Sequence, residues 1–277
     1  MKKLFILLLL LGVTSIASAV GVTTTWRTVA QGRVSSNWLD PCNWSAGVPT
    51  NEAGNSTTLY NSAAQADGPI INGLAAALAI RDGGIGGPLG TTAHLTMQSG
   101  TLTVGDFLLV APDSTTGGGR NGMLHMEGGT INLLTNQGRL GIGNGADGNP
   151  VGSQNITGTL DMTGGNIYGK YMVIGANLTK GIAYVSGGTI DLITDFVMRP
   201  NALNPNVPEL HLSGTGEIII TGDLSARVQG YKDVGWINDE VQISLTRNPG
   251  RTTLFVPEPA TVCLLGIGAL SLLRRKK

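Results

Sequence analysis

Short segments of alternating apolar and polar residues recur through the middle of the chain. The copies follow the order apolar, variable, apolar, variable, Gly, Gly, Thr, Ile, and some of them depart from it at one or more positions. Alternation with a period of two is typical of a strand that buries one face, and a glycine pair supplies backbone angles that side chains resist. Each copy therefore predicts a strand, a turn and the start of another strand. The copies begin at Leu95, Leu124, Leu160 and Ala183, and a weaker one begins at Leu210.

The spacing of these copies indicates a repeat protein. Gly165 and Gly188, the second glycines of two successive pairs, are 23 residues apart, and longer spacings contain Gly-, Ser- and Asn-rich insertions at 111–122 and 143–158. Fixed units with loops of variable length are typical of a solenoid, in which units with too little apolar surface to fold alone stack on one another. Stacking predicts a single interior column of side chains. Its members are Met97, Met126, Met162 and Val185.

A second apolar stretch follows each copy, and the segment 74–80, bracketed by glycines, predicts a further strand of the same kind. Long amphipathic helix patterns are absent. The sequence therefore predicts an all-β fold, specifically a right-handed parallel β-helix or β-solenoid. The second apolar stretches are 107–110, 140–142, 171–174 and 196–198.

The composition differs from that of an average enzyme domain. Of 277 residues, 42 are glycine, whereas only 13% are charged and 5% are aromatic. The hydrophobic fraction of 41% is too high for a disordered chain. The chain has only two cysteines, so a disulfide-stabilised fold is not expected. Cys42 is interpreted as a small apolar filler, with a free thiol that forms an intermolecular disulfide as the alternative, and Cys263 lies in the terminal apolar run.

The amino-terminal residues have the parts of a secretory signal peptide. Lys2 and Lys3 precede an apolar run at 4–13, and Ala17 and Ala19 mark a small-residue cleavage site. Without these two lysines and the four terminal cations, the count of 18 basic and 18 acidic residues becomes 12 against 18. This mildly acidic balance gives no support for nucleic-acid binding.

The carboxyl-terminal segment combines prolines, an apolar run and a block of cations. As a helix, the uncharged run at 260–273 would span about 21 Å, short of the roughly 30 Å hydrocarbon core of a bilayer. The cations after it would lie at the cytoplasmic face and fix its orientation. This order favours a membrane-associated tail over a buried core helix. The flanking residues are Pro257, Glu258, Pro259, Arg274, Arg275, Lys276 and Lys277.

This tail resembles the PEP-CTERM sorting signal, because the Pro-Glu-Pro tripeptide, the apolar run and the basic end occur in that order. The resemblance implies recognition by an exosortase-type membrane protease in a Gram-negative bacterium that makes exopolysaccharide. It also implies export through the inner membrane, with transient membrane contact through the tail. The expected destination is the cell surface, the outer membrane or the extracellular matrix.

The repeats resemble the passenger repeats of autotransporter-type and PEP-CTERM surface proteins, which build β-solenoids. The tryptophans near the amino terminus resemble the entry segment of such passengers, so Trp38, Trp44 and Pro49 are expected to cap the first repeat. The segments 230–237 and 248–253 resemble their closing segment.

These observations divide the chain into five parts. They are a signal peptide (1–19), a Trp-rich cap with irregular first repeats (20–93), the β-solenoid (94–226), a closing segment (227–256) and the sorting signal (257–277).

The three histidines do not predict a metal site, and no cofactor or catalytic residue is assigned. His94 lies apart, whereas His125 and His211 share one outward column of the repeat register with two repeats between them. We therefore expect the histidines to be exposed polar residues and not metal ligands. The same column contains Thr96, Asp161 and Tyr184.

Carbohydrate cleavage is the main enzymatic alternative, because β-solenoids also form lyases and hydrolases that act on polysaccharides. Acid-base chemistry would need two carboxylates about 5 to 9.5 Å apart. Asp161 and Asp191 lie on neighbouring repeats, but Asp161 precedes its glycine pair and Asp191 follows its own. Solvated aspartates are therefore the preferred interpretation for these two and for Asp195.

A carbohydrate-binding module is the third alternative and would require exposed aromatic residues on one face; the repeats offer Tyr168, Tyr171 and Tyr184. The preferred function is structural or adhesive and not catalytic. The expected partners are an exosortase-type protease and exopolysaccharide or other surface proteins.

Overall fold

A computed structural model describes most of the repeat region. The signal peptide, Pro49, most of both insertions and the tail after Pro257 lie outside the described residues. The described residues are 23–27, 31–32, 35–48, 56–59, 68–86, 92–111, 121–133, 137–144, 156–176, 179–199, 207–246 and 250–257.

The described chain is mostly β-structure, which confirms the all-β class. Its strands form one hydrogen-bonded sheet, and one α-helix lies near the carboxyl end. The strands are β1 Thr23–Thr25, β2 Ser56–Leu59, β3 Ile70–Ile85, β4 Thr92–Val110, β5 Asn121–Met126, β6 Thr130–Leu133, β7 Arg139–Asn144, β8 Thr157–Met162, β9 Asn166–Ala176, β10 Lys180–Val185, β11 Thr189–Met198, β12 Glu209–Leu212, β13 Glu217–Thr221, β14 Gln242–Thr246 and β15 Arg251–Phe255, and the helix is α1 Ser225–Asp233.

The segments before the glycine pairs form a first parallel ladder of β4, β5, β8, β10 and β12. The predicted interior column is confirmed, because its four members are register partners in sequence and all are fully buried. Leu212 extends the column by one repeat. Alternation therefore fixes both the buried face and the register, since a slip by one residue would turn every apolar side chain outward.

After each glycine turn the chain enters a second ladder, and the second apolar stretches form a third. The second ladder stacks β4, β6, β9, β11 and β13, with a buried isoleucine or leucine at each level. The third stacks β3, β4, β7, β9 and β11. The strand predicted at 74–80 is confirmed as part of β3.

The two glycines of each pair are required for different reasons. The second has a positive φ, for example +87° at Gly165 and +81° at Gly188. The first approaches the preceding repeat so closely that a Cβ at Gly187 would lie 2.3 Å from the carbonyl oxygen of Thr163. The last turn departs from the repeat: its positive φ is at Gly214, and it is one residue longer than the others.

Three buried tryptophans close the amino-terminal end of the core. Trp44 packs edge-on against both Trp26 and Trp38, with ring centroids 4.9 and 4.7 Å apart. The Trp44 Nε1–H donates to the carbonyl of Trp38 at 2.8 Å. Trp38 and Trp44 therefore form part of a cap, as expected. Cys42 is exposed in a surface turn, so its interpretation as apolar filler is wrong.

The closing segment contains two features that the sequence analysis did not predict. The first is α1, which buries only Val228 and therefore lacks an amphipathic pattern. The second is an antiparallel pair: β15 pairs with β13 on one side and with β14 on the other. The parallel arrangement of the second ladder thus ends at β13.

We expect Gly188→Ala to lower the free energy of unfolding by about 2–5 kcal/mol, of which about 1–2 comes from its positive φ and about 1–3 from crowding. A Cβ there would lie 2.3 Å from the Gly165 carbonyl oxygen, which accepts the Thr189 N–H. Gly235→Ala is the control, because Gly235 also has a positive φ but no atom within 4 Å of the added Cβ. Urea unfolding measures both, and equal losses would contradict the role given to the close approach.

Candidate functional site

An outward column of polar and aromatic side chains runs along the first ladder. Its register is Thr96, His125, Asp161, Tyr184, His211, as the sequence predicts. Since neighbouring parallel strands are about 4.8 Å apart, successive side chains of this column are close enough to interact. His94 faces Met123 in the same ladder and does not belong to the column.

His125 is the centre of the first cluster in this column. Its Nδ1 lies 2.9 Å from Asp161 Oδ2, and its Nε2 lies 3.2 Å from Glu127 Oε1. Glu127 also accepts a hydrogen bond from Gln98 Nε2 at 3.1 Å. The imidazole therefore lies between two carboxylates: that of Asp161 on the neighbouring strand β8, and that of Glu127 directly after its own strand β5.

The second cluster consists of Tyr184, His211, Glu209 and Lys180. The rings of Tyr184 and His211 stack, with centroids 5.0 Å apart and an interplanar angle of 14°. Glu209 accepts from Lys180 Nζ at 2.6 Å and lies 3.1 Å from His211 Nε2. Partial burial works to raise the pKa of Glu209, but hydrogen bonds and charges from Lys180 and His211 outweigh it and lower that pKa below its ordinary value of 4.5.

A shallow depression lies beside the second cluster, at the carboxyl-terminal end of the ladder. Tyr184 and His211 line one part of it, and Asn238, Glu240 and Val256 line another. A hydrogen bond from its own backbone N–H and another from the Asn238 side chain lower the pKa of Glu240. The depression thus combines an aromatic pair with one carboxylate, that of Glu240, whose charged form these hydrogen bonds favour.

The three aspartates considered for catalysis do not come together. Asp161 is on the first ladder beside His125, whereas Asp191 and Asp195 are on β11, which belongs to the second and third ladders. Arg251 binds both oxygens of Asp191 at 2.6 Å. Arg227 pairs with Asp195. The sequence analysis missed both arginines, because they come from the closing segment and no local spacing links them to their partners.

The candidate tyrosines also lie apart. Tyr184 is on the first ladder, Tyr168 on the second and Tyr171 on the third. The guanidinium of Arg139 is 6.0 Å from the Tyr171 ring centroid and 6.0 Å from that of Phe107. The three rings therefore do not form one binding face.

The described residues offer neither a metal-binding group nor a membrane-spanning helix. They contain no group of three or more histidines, cysteines, aspartates and glutamates arranged to hold a metal ion. Within the same residues, no helix is long and apolar enough to span a membrane. The apolar run at 260–273 lies outside the described residues.

The comparisons with known proteins identify the carboxyl-terminal segment. Residues 255–277 match the PEP-CTERM protein-sorting motif, as the resemblance noted in the sequence implies. No curated protein and no solved structure matches the chain. The motif indicates a protein that is exported across the inner membrane of a Gram-negative bacterium to the cell surface and processed by an exosortase membrane enzyme.

The matched segment begins inside the fold. Phe255 is the last residue of β15, and the exposed Pro257 follows two residues later. The other predicted sorting residues, from Glu258 to the terminal cations, lie outside the described residues, as do Ala17 and Ala19.

Glu209 predicts a measurable dependence of stability on pH. Because its pKa is lowered in the folded state, its contribution to stability is present above about pH 4.5 and is lost as the pH falls through the folded value. We expect Lys180→Met to lower the free energy of unfolding at neutral pH and to reduce the further loss of stability on acidification. Lys180→Arg retains the positive charge and should preserve both the stability at neutral pH and its loss in acid. Urea unfolding from neutral to acidic pH tests this, and identical pH profiles for the two variants would contradict the assignment.

Proposed function

We propose that the protein is a structural or adhesive component of the cell surface or extracellular matrix, associated with exopolysaccharide. The observation that carries the proposal is the combination of a sorting motif with a body of repeated, register-matched ladders. The motif supports sorting to the cell surface, and the repeated body supports a role as an extended, stiff scaffold.

The proposed architecture is a right-handed parallel β-solenoid. The three successive ladders in each repeat support it, because the chain passes through the second and third ladders and then returns to the first ladder one level further along. Right-handed connections between parallel strands are strongly preferred. Each level adds about 4.8 Å of length, so repeats lengthen such a scaffold without changing its cross-section.

Association with a hydroxyl-rich polymer is supported by the outward columns. The column on the first ladder presents hydroxyl and imidazole groups, and the second ladder adds Asn132 and Tyr168. Groups of this kind exchange hydrogen bonds with sugar hydroxyls at low cost, because they are already hydrated at the surface.

A non-catalytic role is the preferred proposal. The carboxylates considered for catalysis are each paired with a basic side chain: Asp161 with His125, Asp191 with Arg251 and Asp195 with Arg227. These pairs join neighbouring strands or connect the closing segment to β11, which is a structural use. A polysaccharide lyase or hydrolase is the alternative.

A carbohydrate-binding module is the second candidate, favoured by one observation. The stacked rings of Tyr184 and His211 border a depression that also contains Asn238 and Glu240. Aromatic rings with nearby hydrogen-bonding groups suit a sugar, because one face of the sugar ring is apolar while its edges are polar.

Sorting is tested by deleting Arg274 to Lys277 in the full chain. We expect precursor to accumulate in the envelope in the wrong orientation, because these cations hold the end of the apolar run at the cytoplasmic face. Replacing the four cations with lysines only is the control and should leave sorting intact. Mass spectrometry of the exported protein measures processing, and an exported chain that still carries 264–277 would contradict a transient sorting signal.

The absence of catalysis is tested on the native exopolymer. We expect the purified exported protein to release neither reducing nor unsaturated sugar, and the combined Asp161→Asn, Asp191→Asn and Asp195→Asn variant to retain its place at the surface. Urea unfolding of the variant must accompany the assay, because Asp191 is held by Arg251. Steady sugar release that the triple substitution abolishes would establish the enzyme instead.

A further inference from the structure

Strand β14 is an open edge of the sheet. It pairs with β15 on one side, from Gln242 opposite Phe255 to Thr246 opposite Arg251. On its other side, no described residue hydrogen-bonds to the backbone of Gln242–Thr246. Every second N–H and C=O of the strand therefore points away from the sheet, which is the arrangement onto which another strand can add.

The sequence and pairing of β14 itself lack the charge, proline and bulge by which many edge strands are protected. The strand reads Gln-Ile-Ser-Leu-Thr, with neither charge nor proline, and its pairing with β15 is continuous, without a bulge. Edge strands usually carry lysine, proline or a bulge, because an unprotected edge pairs with other strands. The opposite case occurs at β12, whose outer edge is covered: Leu210 N–H donates to the Trp236 carbonyl, and Asn238 bonds the backbone of Leu212.

The strand also exposes apolar surface beside the edge. Ile243 and Leu245 face the same side as the buried Leu254 and Thr252 of β15, so they continue the inner face of the sheet. Ile243 is partly buried against the core, whereas Leu245 is 39% exposed. An occupant of this edge would therefore need an apolar residue opposite each of these two positions.

We propose that a second copy of this chain occupies the edge, with β14 pairing antiparallel to β14 around a two-fold axis at Ser244. In this register Ile243 lies opposite the second copy's Leu245, Leu245 lies opposite its Ile243, and Gln242 lies opposite its Thr246. Each apolar side chain thus meets an apolar side chain on the same face, and no like charges oppose each other. The self-complementary strand and the two-fold symmetry of most homodimers favour this occupant over an unrelated partner.

The dimer joins two ladders end to end at their carboxyl-terminal ends. A strand of five residues contributes few backbone hydrogen bonds and little buried area, so the association depends on concentration. Crowding at a cell surface supplies that concentration, and the joined pair is twice the length of one scaffold.

The oligomeric state of the purified exported protein tests the proposal. We expect sedimentation equilibrium over about a hundredfold concentration range to show a monomer–dimer equilibrium. Ser244→Lys places two ammonium groups opposite each other across the axis and should raise the dissociation constant by at least about tenfold. Ser99→Lys, at an exposed position of β4, adds the same charge far from β14 and is the control. A monomer at every concentration, or a dimer that Ser244→Lys leaves unchanged, would overturn the proposal.

Disulfide formation tests the register in a background of Cys42→Ser and Cys263→Ser. Opposed residues of an antiparallel pair have Cα atoms about 4.5 to 5.5 Å apart, within reach of a disulfide. We expect Ser244→Cys alone to form a covalent dimer, and Gln242→Cys mixed with Thr246→Cys to form a mixed one. Thr246→Cys alone should not, because its two copies would lie about four residues apart along the strands. Equal crosslinking by Ser244→Cys and Thr246→Cys would contradict a pairing centred on Ser244.

Discussion

The parallel register between neighbouring repeats is the constraint on which the rest of the structure depends. Met97, Met126 and Met162 can share one column only if each repeat returns to the same point, one strand spacing further along. The glycine pair makes that return possible. Its first residue lets two backbones approach, and its second adopts the positive φ that completes the turn. The Gly165 carbonyl then accepts the Thr189 N–H, so the turns are themselves bonded to one another.

The same register determines the chemistry of the surface. Once the inner columns are fixed, outward residues at equivalent positions must lie about 4.8 Å apart, whether or not they attract each other. The chain uses this proximity for pairs that do attract, such as His125 with Asp161 and Tyr184 with His211. Lys180 and Glu209 form a further attractive pair between neighbouring strands of the first ladder, and the lowered pKa of Glu209 reflects it.

The two ends of the stacked strands are covered by different structures. The tryptophan cluster covers the amino-terminal end of the core, and Asn238 covers the edge of β12 with hydrogen bonds from its side chain. On the second ladder, β15 reverses the direction of pairing, and β14 follows it. The sorting motif begins at Phe255, the last residue of β15.

The repeats and the sorting tail could be predicted from the sequence, because both depend on local order. Alternation specified the buried columns, the glycine pairs specified the turns, and the Pro-Glu-Pro tail has its parts in a fixed sequence. Only the tertiary structure revealed Arg251 beside Asp191 and Arg227 beside Asp195, since these partners are distant in sequence. It also showed that α1 and an antiparallel strand pair follow the last parallel strand, that Cys42 is exposed, and that the tyrosines lie on separate ladders. A short helix with one buried residue has no periodic signal, and partners brought together by folding have no spacing that a sequence pattern can carry.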